Sequence, residues 1–585
     1  MHRAEPIDTS SSRPIPMTLI LLTAAVVHLP LLLMELPLKS YDTNFHIFFA
    51  SHYLHHWWDP WNPKWFAGFS QTTYPPLPQQ WTAVLSHVFG LDLAYMAVQF
   101  AAILLLGVGV YRFSRIWVGA QAASIAAIVG VLLGSESFLV YNAGQLGTTC
   151  AAPLYLLALP YLYDFLVRGG FRAFLKAIIL FATAAAAHHA TLLFGTFFFA
   201  IPILVLAFID HRRVYPSVSG VIFRAILMII FVGAAVGLVL LPFWIALFKY
   251  PITQTPIPHP SRANFLLSPE WGVAYFLIPY GALIFALPFI IWRGAVVPRL
   301  RPLMIGFWVC FLVGLGGTTP VGRLLLGRAF DVLTFERFTY WATLLALPIV
   351  GALSVDLIAR FRTRAIVGLA VLAAISCGGA VAWTSYRPAD PENFNVEPVA
   401  EWLNRDHDAY RYIVLGFGNK LARLSMETNA TTLDGEWYSE RRLPELTKYG
   451  GGALNNAKYF GQGGMEALHA ILEHADRYGL KWVFVRDPYY DPLLEFAGWR
   501  QVDEIDYGAI TIWSKEGVPP ATPMNKSLMP PRWQGLMWGT LPFGSSLLAI
   551  LVAVLIPDRR RREFDEETTI TPISQGTLVS GRMVS

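Results

Sequence analysis

Charged residues and cysteines are both scarce in this chain. Asp, Glu, Lys and Arg make up 14% of its 585 residues, hydrophobic residues make up 55%, and the mean hydropathy is +0.47. Because soluble domains average about 25% charged residues, this composition argues against a water-soluble protein and indicates an integral membrane protein. The cysteines, Cys150, Cys310 and Cys377, all lie in or beside apolar runs, so neither a disulfide framework nor a thiolate metal site is indicated.

Several signatures of soluble enzymes are also missing. The sequence contains no Walker A loop, no GxGxxG after a strand, no GxSxG elbow and no HExxH. The energy for any reaction must therefore come with the substrate.

Long apolar runs are what the chain has in abundance. A helix that crosses the hydrocarbon core needs about 20 apolar residues, and such runs predict about twelve transmembrane helices. They begin near Pro16, Leu91, Trp117, Leu146, Phe171, Thr191, Val221, Trp271, Pro302, Tyr340, Ala365 and Trp533. We predict a mainly α, polytopic membrane protein with a small α/β domain outside the membrane, before the last helix.

The basic residues alternate with these runs. If the N-terminus is inside, one set of short connectors holds arginines such as Arg112, Arg168 and Arg293, and the opposite connectors are longer and poorer in them. This positive-inside pattern predicts a multi-pass protein of the cell (inner) membrane with both termini in the cytoplasm. No nucleic-acid partner is indicated, because the arginines are spread over one connector after another. The polar, aromatic connectors then share the outer side: 38–90, 135–146, the turn near His188, 249–270, 318–339 and 386–532.

The chain after residue 385 changes in composition. A membrane domain is predicted for 1–385, and 386–518 is charged, rich in Asn and Gly, and patterned as helices alternating with strands. We predict an extracytoplasmic α/β domain there. A Pro-rich linker (519–532), a last transmembrane helix (533–557) and a disordered cytoplasmic tail (558–585) follow.

The first outer connector carries the strongest functional signal. Ionisable side chains close to a bilayer are costly, so a site is the default interpretation of the cluster at 40–78. Asp42 and His46 are four residues apart, and a helix brings such side chains together. A carboxylate beside an imidazole suits a general base or part of a divalent metal site. The alternative is that Asp42 only caps the helix, although the two roles are compatible. The aromatic face of this helix is expected to lie in the membrane interface.

The wording of this connector resembles a known superfamily. It reads D-x-x-x-H at 42–46, W-x-P-x-W-x-x-G at 61–68 and Y-P-P at 74–76. A long outer loop after the first helix that opens with an Asp is similar to that of the GT-C superfamily of membrane glycosyltransferases. The motifs more closely resemble a bacterial branch named 6-pyruvoyl-tetrahydropterin synthase-related membrane proteins, although nothing here suggests pterin chemistry. The resemblance covers about 15–385 and the outer C-terminal domain.

The resemblance implies roles for Asp42 and Arg337, and the polar and aromatic residues of the outer connectors suggest further candidates. Asp42 is the expected catalytic base. Arg337 lies late in the membrane domain beside Glu336, where family members hold the phosphate of a lipid-linked donor, although pairing with Glu336 or snorkelling explains an Arg there equally well. His189 and Arg262 are further candidates for donor phosphate. Residues expected to bind substrate or a metal are His46, His188, Glu136, Trp65 and Tyr74, for which packing or interface anchoring is the alternative.

The function that follows is inverting glycosyl transfer at the outer membrane face. The expected partners are a polyprenyl-phosphate-linked sugar donor, a glycan or lipid acceptor, and membrane lipids. In the superfamily that the chain resembles, a W-W-D-x-G-like motif is diagnostic of protein N-glycosylation. This motif is missing here, which disfavours a peptide acceptor. A divalent metal, Mg²⁺ or Mn²⁺, is left open as a cofactor. The alternatives are a transporter or flippase for lipid-linked saccharides, and a non-catalytic partner in envelope polysaccharide assembly.

Overall fold

Helices dominate the computed structural model, which describes residues 14–214, 217–250, 258–387, 394–448 and 453–556. The predicted tail at 558–585 and the middle of the 249–270 connector lie outside these residues. Among these residues, nineteen α-helices precede residue 388: α1 (Met17–Leu33), α2 (Thr43–His55), α3 (Leu77–Phe89), α4 (Leu91–Ser114), α5 (Ala120–Val131), α6 (Gly134–Phe138), α7 (Leu146–Arg168), α8 (Phe171–Ala187), α9 (His189–Gly195), α10 (Ile201–Val214), α11 (Ser219–Val239), α12 (Leu241–Lys249), α13 (Pro269–Gly272), α14 (Ile278–Tyr280), α15 (Leu283–Val296), α16 (Arg301–Gly314), α17 (Val321–Leu326), α18 (Glu336–Phe361) and α19 (Thr363–Tyr386).

Fewer helices than apolar runs have the length and hydropathy expected of a membrane span. Within the described residues, eight helical segments are long and apolar enough to span a bilayer, or nine if the bent pair Pro269–Tyr280 and Leu283–Val296 is one span. Three further apolar runs form α1, α8 and α16, of 17, 17 and 14 residues. At about 1.5 Å per residue these helices are shorter than the hydrocarbon core. The protein is a multi-pass membrane protein, and the count of about twelve spans stays a prediction.

The backbone of the membrane helices is irregular at three places. His188 is extended between α8 and α9 (φ −162°, ψ 104°), the pair around Gly281 bends by 65°, and Leu139–Ala143 is a π-helical turn at the end of the Ala120–Ala143 segment. Such irregular backbone is tolerated in a membrane protein where it is buried against other helices or lines a polar site. The first and third breaks supply residues of the candidate site.

A mixed four-stranded sheet follows the membrane helices. It has the order β3-β4-β6-β5, with β3 (Arg411–Leu415) parallel to β4 (Leu480–Val485), and with β6 (Ile510–Ser514) antiparallel to both β4 and β5 (Arg500–Ile505). The two preceding strands, β1 (Trp61–Asn62) and β2 (Phe69–Ser70), pair in the first connector. Around the sheet lie α20 (Glu397–Asn404), α21 (Lys420–Glu427), α22 (Pro444–Lys448), α23 (Gly461–Glu473), α24 (Ala475–Tyr478) and α25 (Asp491–Phe496), and α26 (Arg532–Leu555) returns to the membrane region. We call residues 394–518 the sheet region.

The first connector and the sheet region share one apolar core. Phe48 and Trp65 from the connector belong to the same buried cluster as Ile413 and Leu433 from the sheet region. The indole of Trp65 stacks on Phe48 at 4.0 Å between centroids and donates to Ser425 Oγ at 2.9 Å. Because its core is shared, an independent domain at 386–518 stays a prediction.

The environment of α2 corrects the sequence-based expectation. Its aromatic face was expected to lie in the membrane interface, and that expectation is wrong. Phe45, Phe48 and Phe49 are at most 6% exposed and pack into the shared core. Helix amphipathicity predicts a buried face but does not identify what covers it.

Replacement of Trp65 by alanine is expected to weaken this core. Loss of a fully buried indole costs about 3–5 kcal/mol of unfolding free energy, so Trp65→Ala will unfold at a clearly lower temperature than the parent protein in detergent, followed by circular dichroism. Trp58→Ala is the matched control from the same connector, because Trp58 is 57% exposed. Equal unfolding temperatures for the two variants would contradict the shared core.

Candidate active site

The backbone of Asp42 is fixed by the π-helical turn that precedes α7. The amide groups of Tyr41 and Asp42 donate to the carbonyl oxygens of Asn142 and Ala143, both at 3.1 Å. Gly144 follows with φ +70°, and a Cβ built on it would lie 2.3 Å from Ser40 Oγ and 3.0 Å from the Asp42 nitrogen. Only glycine allows both this conformation and this approach. The connector that precedes α7 therefore fixes the backbone of the first outer connector just before α2.

The Asp42 carboxylate is left available for chemistry. Asp42 occupies the N-cap position of α2, but its side chain makes no capping hydrogen bond. Part of the surface of Asp42 is accessible to solvent, yet protein atoms surround its carboxylate closely. Desolvation raises the pKa of Asp42 to about 7, and the positive charge of Arg337 opposes that rise while Glu336 adds to it. The capping role alone does not account for this carboxylate.

Arg337 is anchored at one nitrogen only. Its Nε donates to Gln145 Oε1 at 2.7 Å, and Gln145 Nε2 donates in turn to Glu336 Oε1. Among the described residues, the terminal guanidinium nitrogens of Arg337 make no hydrogen bond, and Glu336 Oε2 has no partner. A guanidinium held in this way presents a fork to a bidentate anion such as phosphate. Pairing with Glu336, the sequence-based alternative, occurs only through Gln145.

The imidazole of His46 is hydrogen-bonded to Gln79 of α3. Its Nδ1 lies 2.9 Å from the side-chain amide of Gln79. With the amide oxygen facing the ring, the amide nitrogen donates to the carbonyls of Pro75 and Pro76, and Nδ1 is the donor to Gln79. Burial, reinforced by the charge of Arg337, lowers the pKa of His46 to about 3. His46 is therefore a neutral imidazole that hydrogen-bonds to α3.

A row of rings runs from His46 toward the break between α8 and α9. Ring centroids are 5.7 Å apart for His46 and Tyr74, 6.5 Å for Tyr74 and His188, and 5.8 Å for His188 and His189. His188 Nδ1 hydrogen-bonds to Thr191 Oγ1 at 2.8 Å, whereas His189 Nδ1 is buried without a partner in the described part of the chain. Among the predicted histidines in this row, His189 is therefore the one with a buried ring nitrogen that has no described partner.

Three of the predicted site residues either lie apart from this cluster or pack around it. Trp65 is fully buried in the shared core and presents no ring face to a ligand. Glu136 is 0% exposed in α6, where its carboxylate lies beside the hydroxyl of Tyr340. Arg262 donates to the carbonyls of Phe330 and Leu333 and lines a separate cavity of about 400 Å³. None of the three is in hydrogen-bond contact with Asp42 or Arg337.

Some residues at the site escaped the sequence analysis. Trp437, from the sheet region, packs edge-on against Tyr74 at 4.9 Å and donates to Thr73 Oγ1 at 2.9 Å. Tyr438 follows it and is partly exposed; desolvation is the main cause that raises its pKa, and the charge of Asp42 adds to that rise. A GEWY segment carries no periodic signal, so only the fold brings it over the first connector. Gly144 had a weaker clue, a glycine inside the polar run NAGQ.

The described residues do not form a protein-built divalent metal site. No three His, Cys, Asp or Glu side chains among them are close enough to share an ion. Asp42 and Glu336 are two carboxylates that influence each other, but Gln145 occupies one oxygen of Glu336. The predicted Mg²⁺ or Mn²⁺ stays a prediction, and no chemical step below depends on it.

Substitution of Gly144 tests the clamp on Asp42. The new methyl group of Gly144→Ala collides with Ser40 and with the backbone of Asp42 and Thr43, and such overpacking costs about 1–3 kcal/mol. Gly498→Ala is the control, since Gly498 also has a positive φ (+78°) but nothing lies within 4 Å of its built Cβ. Thermal unfolding in detergent is expected to show the larger loss for Gly144→Ala. Identical losses would mean that only backbone strain matters there.

Solved structures with a similar architecture are membrane glycosyltransferases. Neither a protein-family model nor a curated protein matches the chain. The oligosaccharyltransferase of Archaeoglobus fulgidus, tethered with an acceptor peptide, is 13% identical with a TM-score of 0.51, over 82% of this chain and 70% of that one. The apo structure of ArnT from Cupriavidus metallidurans is 12% identical with a TM-score of 0.50, over 88% and 99%.

A third similar structure is the arabinofuranosyltransferase AftD from Mycobacteria. It is 15% identical with a TM-score of 0.51, over 86% of this chain, which spans 40% of the length of AftD. At these identities the likeness concerns the fold alone. The structural neighbours of the chain are GT-C glycosyltransferases, and the chain has a fold similar to theirs.

Proposed function

We propose that the protein is an inverting glycosyltransferase that moves a sugar from a polyprenyl-phosphate-linked donor to a glycan or lipid acceptor at the outer membrane face. The observation that carries the proposal is that Asp42, whose carboxylate makes no capping hydrogen bond, lies within the electrostatic influence of Arg337, a guanidinium whose terminal nitrogens make no hydrogen bond to described residues. The GT-C-like fold supports it. The loop motifs at 42–76 support placement in the pterin synthase-related branch, which stays a prediction.

Asp42 is the proposed general base. In the transfer step the acceptor oxygen forms a bond to the anomeric carbon, the bond from that carbon to the phosphate oxygen breaks, and the electron pair leaves with the polyprenyl phosphate. The acceptor proton passes to Asp42. A carboxylate with its pKa raised to about 7 is a stronger base than an ordinary Asp and is still largely ionised slightly above neutrality.

Arg337 is the proposed binder of the leaving phosphate. Gln145 fixes the Nε side of its guanidinium, so the two terminal nitrogens are pre-oriented toward an anion. Donors that are fixed in advance stabilise charge as it develops on the leaving group, and one such donor is worth about 3 kcal/mol in the transition state. His189, whose Nδ1 has no partner among the described residues and which lies within the electrostatic influence of Arg337, is a second proposed donor.

The acceptor approaches, in this proposal, from the sheet region. Trp437 and Tyr438 are partly exposed and flank Tyr74 and Asp42. Aromatic faces suit sugar rings, which supports a glycan acceptor or the carbohydrate part of a lipid. Arg262 lies in its separate cavity and is proposed to contact the donor only if the lipid phosphate extends toward α17.

A transporter of lipid-linked saccharides is the second candidate. The bent helix pair around Gly281 favours it, because discontinuous membrane helices are common at transport sites. The polar cluster lies at the ends of α7 and α18, however, and not midway along them. Transport without transfer, unaffected by Asp42→Asn, would favour this candidate.

Replacement of either key side chain is expected to abolish most transfer. With a defined polyprenyl-phosphate sugar and purified protein, Asp42→Asn removes the base and lowers the rate about 100-fold or more. Arg337→Gln removes the phosphate contact and lowers it on the order of 100-fold. Product formation is measured by mass spectrometry.

Matched controls are available on the same loops. Asp59→Asn changes an exposed carboxylate of the first connector, and Arg328→Gln changes an exposed guanidinium between α17 and α18. Both are expected to retain nearly full activity. Wild-type rates in Asp42→Asn would eliminate the proposed base.

The pH profile supplies an independent test. Since Asp42 must be ionised and its pKa is about 7, the transfer rate is expected to fall as the pH drops through 7. Arg337 holds this pKa down and Glu336 pushes it up. The acid limb should therefore move to higher pH in Arg337→Gln and to lower pH in Glu336→Gln. Limbs that do not move, or that move in the opposite directions, would show that another group titrates.

A further inference from the structure

A second polar site lies at the opposite end of the membrane helices from Asp42. The connector after α16 leads to the start of α18 beside Arg337, so the start of α16, at Arg301, lies at the other end of the bundle. The ion pair between Arg293 and Asp356, 3.0 Å long, closes α15 on the far end of α18 and marks that same end. Here α10 and α16 enclose a cavity of about 460 Å³.

One wall of this cavity is apolar and faces outward. Val205 and Ile209 of α10 face Ile305 of α16, and Ile209 and Ile305 are 38% and 50% exposed. α10 belongs to the membrane-spanning segment His189–Arg213, so the apolar wall lies on a membrane helix. Hydrocarbon chains are the complement of such a surface.

The rim of the cavity is basic. Arg213, Arg299 and Arg301 line it together with a single acidic residue, Asp210. Asp210 is already engaged, because it accepts from Tyr163 at 2.6 Å and from Arg299 at 3.0 Å. Arg299 is equally committed, since its Nε and Nη2 donate to the carbonyl of Ile116. The hydrogen bonds of this network fix Asp210 and Arg299 in place and leave little net charge on the pair to bind a ligand.

Two arginines remain available at the rim. Arg213 reaches Asp210 only through Nη1, at 3.4 Å, and its side chain is 66% exposed. Arg301 uses Nε for the carbonyl of Ala295 at 2.8 Å, and no hydrogen bond of its terminal nitrogens is seen in the described part of the chain. Two guanidinium groups above an apolar cleft match a monoanionic phosphodiester with acyl chains attached.

We propose that this cavity, the α10–α16 cleft, is a binding site for an anionic phospholipid. The phosphodiester lies between Arg213 and Arg301, and the acyl chains lie against Val205, Ile209 and Ile305. The site is distinct from the Asp42 cluster and does not depend on the proposed reaction. Each arginine near the membrane surface contributes a modest attraction to an anionic lipid, and the apolar wall of the cleft adds a surface that is complementary in shape to the acyl chains.

The proposal is tested with lipids that differ only in the headgroup. The full-length protein is purified in detergent and mixed with phosphatidylglycerol or phosphatidylcholine of identical acyl chains, and retained lipid is counted by native mass spectrometry. We expect the parent protein to retain phosphatidylglycerol on the order of tenfold better. Arg213→Gln/Arg301→Gln should bring the two lipids to equal retention, whereas Arg213→Lys/Arg301→Lys should keep the preference.

The controls separate the cleft from basic charge in general. Arg360→Gln/Arg364→Gln removes two exposed arginines from the same end of the bundle, outside the cleft, and should leave the preference unchanged. A preference that survives in the Arg213/Arg301 glutamine variant, or that is lost equally in the control, overturns the site. Full displacement of phosphatidylglycerol by inorganic phosphate also overturns it, because the cleft would then bind a free anion.

Discussion

The close approach of Gly144 to the start of α2 is the constraint on which the site depends. Two backbone hydrogen bonds hold residues 41–42 against 142–143, and the missing side chain at Gly144 makes that distance attainable. The next residue, Gln145, holds both Glu336 and Arg337. One turn of backbone therefore sets the position of the acid and of the cation together. The electrostatic balance at Asp42 follows from this geometry.

The sequence predicted the membrane class and the residues of this cluster better than their arrangement. Asp42, Arg337, His188 and Tyr74 were identified because ionisable and aromatic groups stand out against apolar runs, and the structure brings their connectors together. The counts of spans differ because α1, α8 and α16 are apolar but short. The sequence shows that a run is apolar, but it does not show whether the helix formed by that run is long enough to cross the bilayer.

Other features were beyond the reach of a single sequence. The aromatic face of α2 is compatible with lipid or with protein, and only the fold shows that the sheet region covers it. Trp65 was a candidate for substrate binding because it lies in a conspicuous motif, yet it is fully buried against Phe48. Trp437 reaches Tyr74 across a sequence separation that no local pattern encodes. Long-range packing decided each of these cases.

The shared core of the first connector and the sheet region also bears on biosynthesis. Trp65 and its hydrogen-bond partner Ser425 are 360 residues apart in the chain. At a synthesis rate of roughly 5–20 residues per second, the ribosome needs roughly 20–70 s to supply that partner. During this interval an aromatic surface has left the ribosome without its cover, beside a bilayer that can hold it. The nascent loop is thus expected to rest on lipid first and to exchange that contact for protein only when the sheet region is complete.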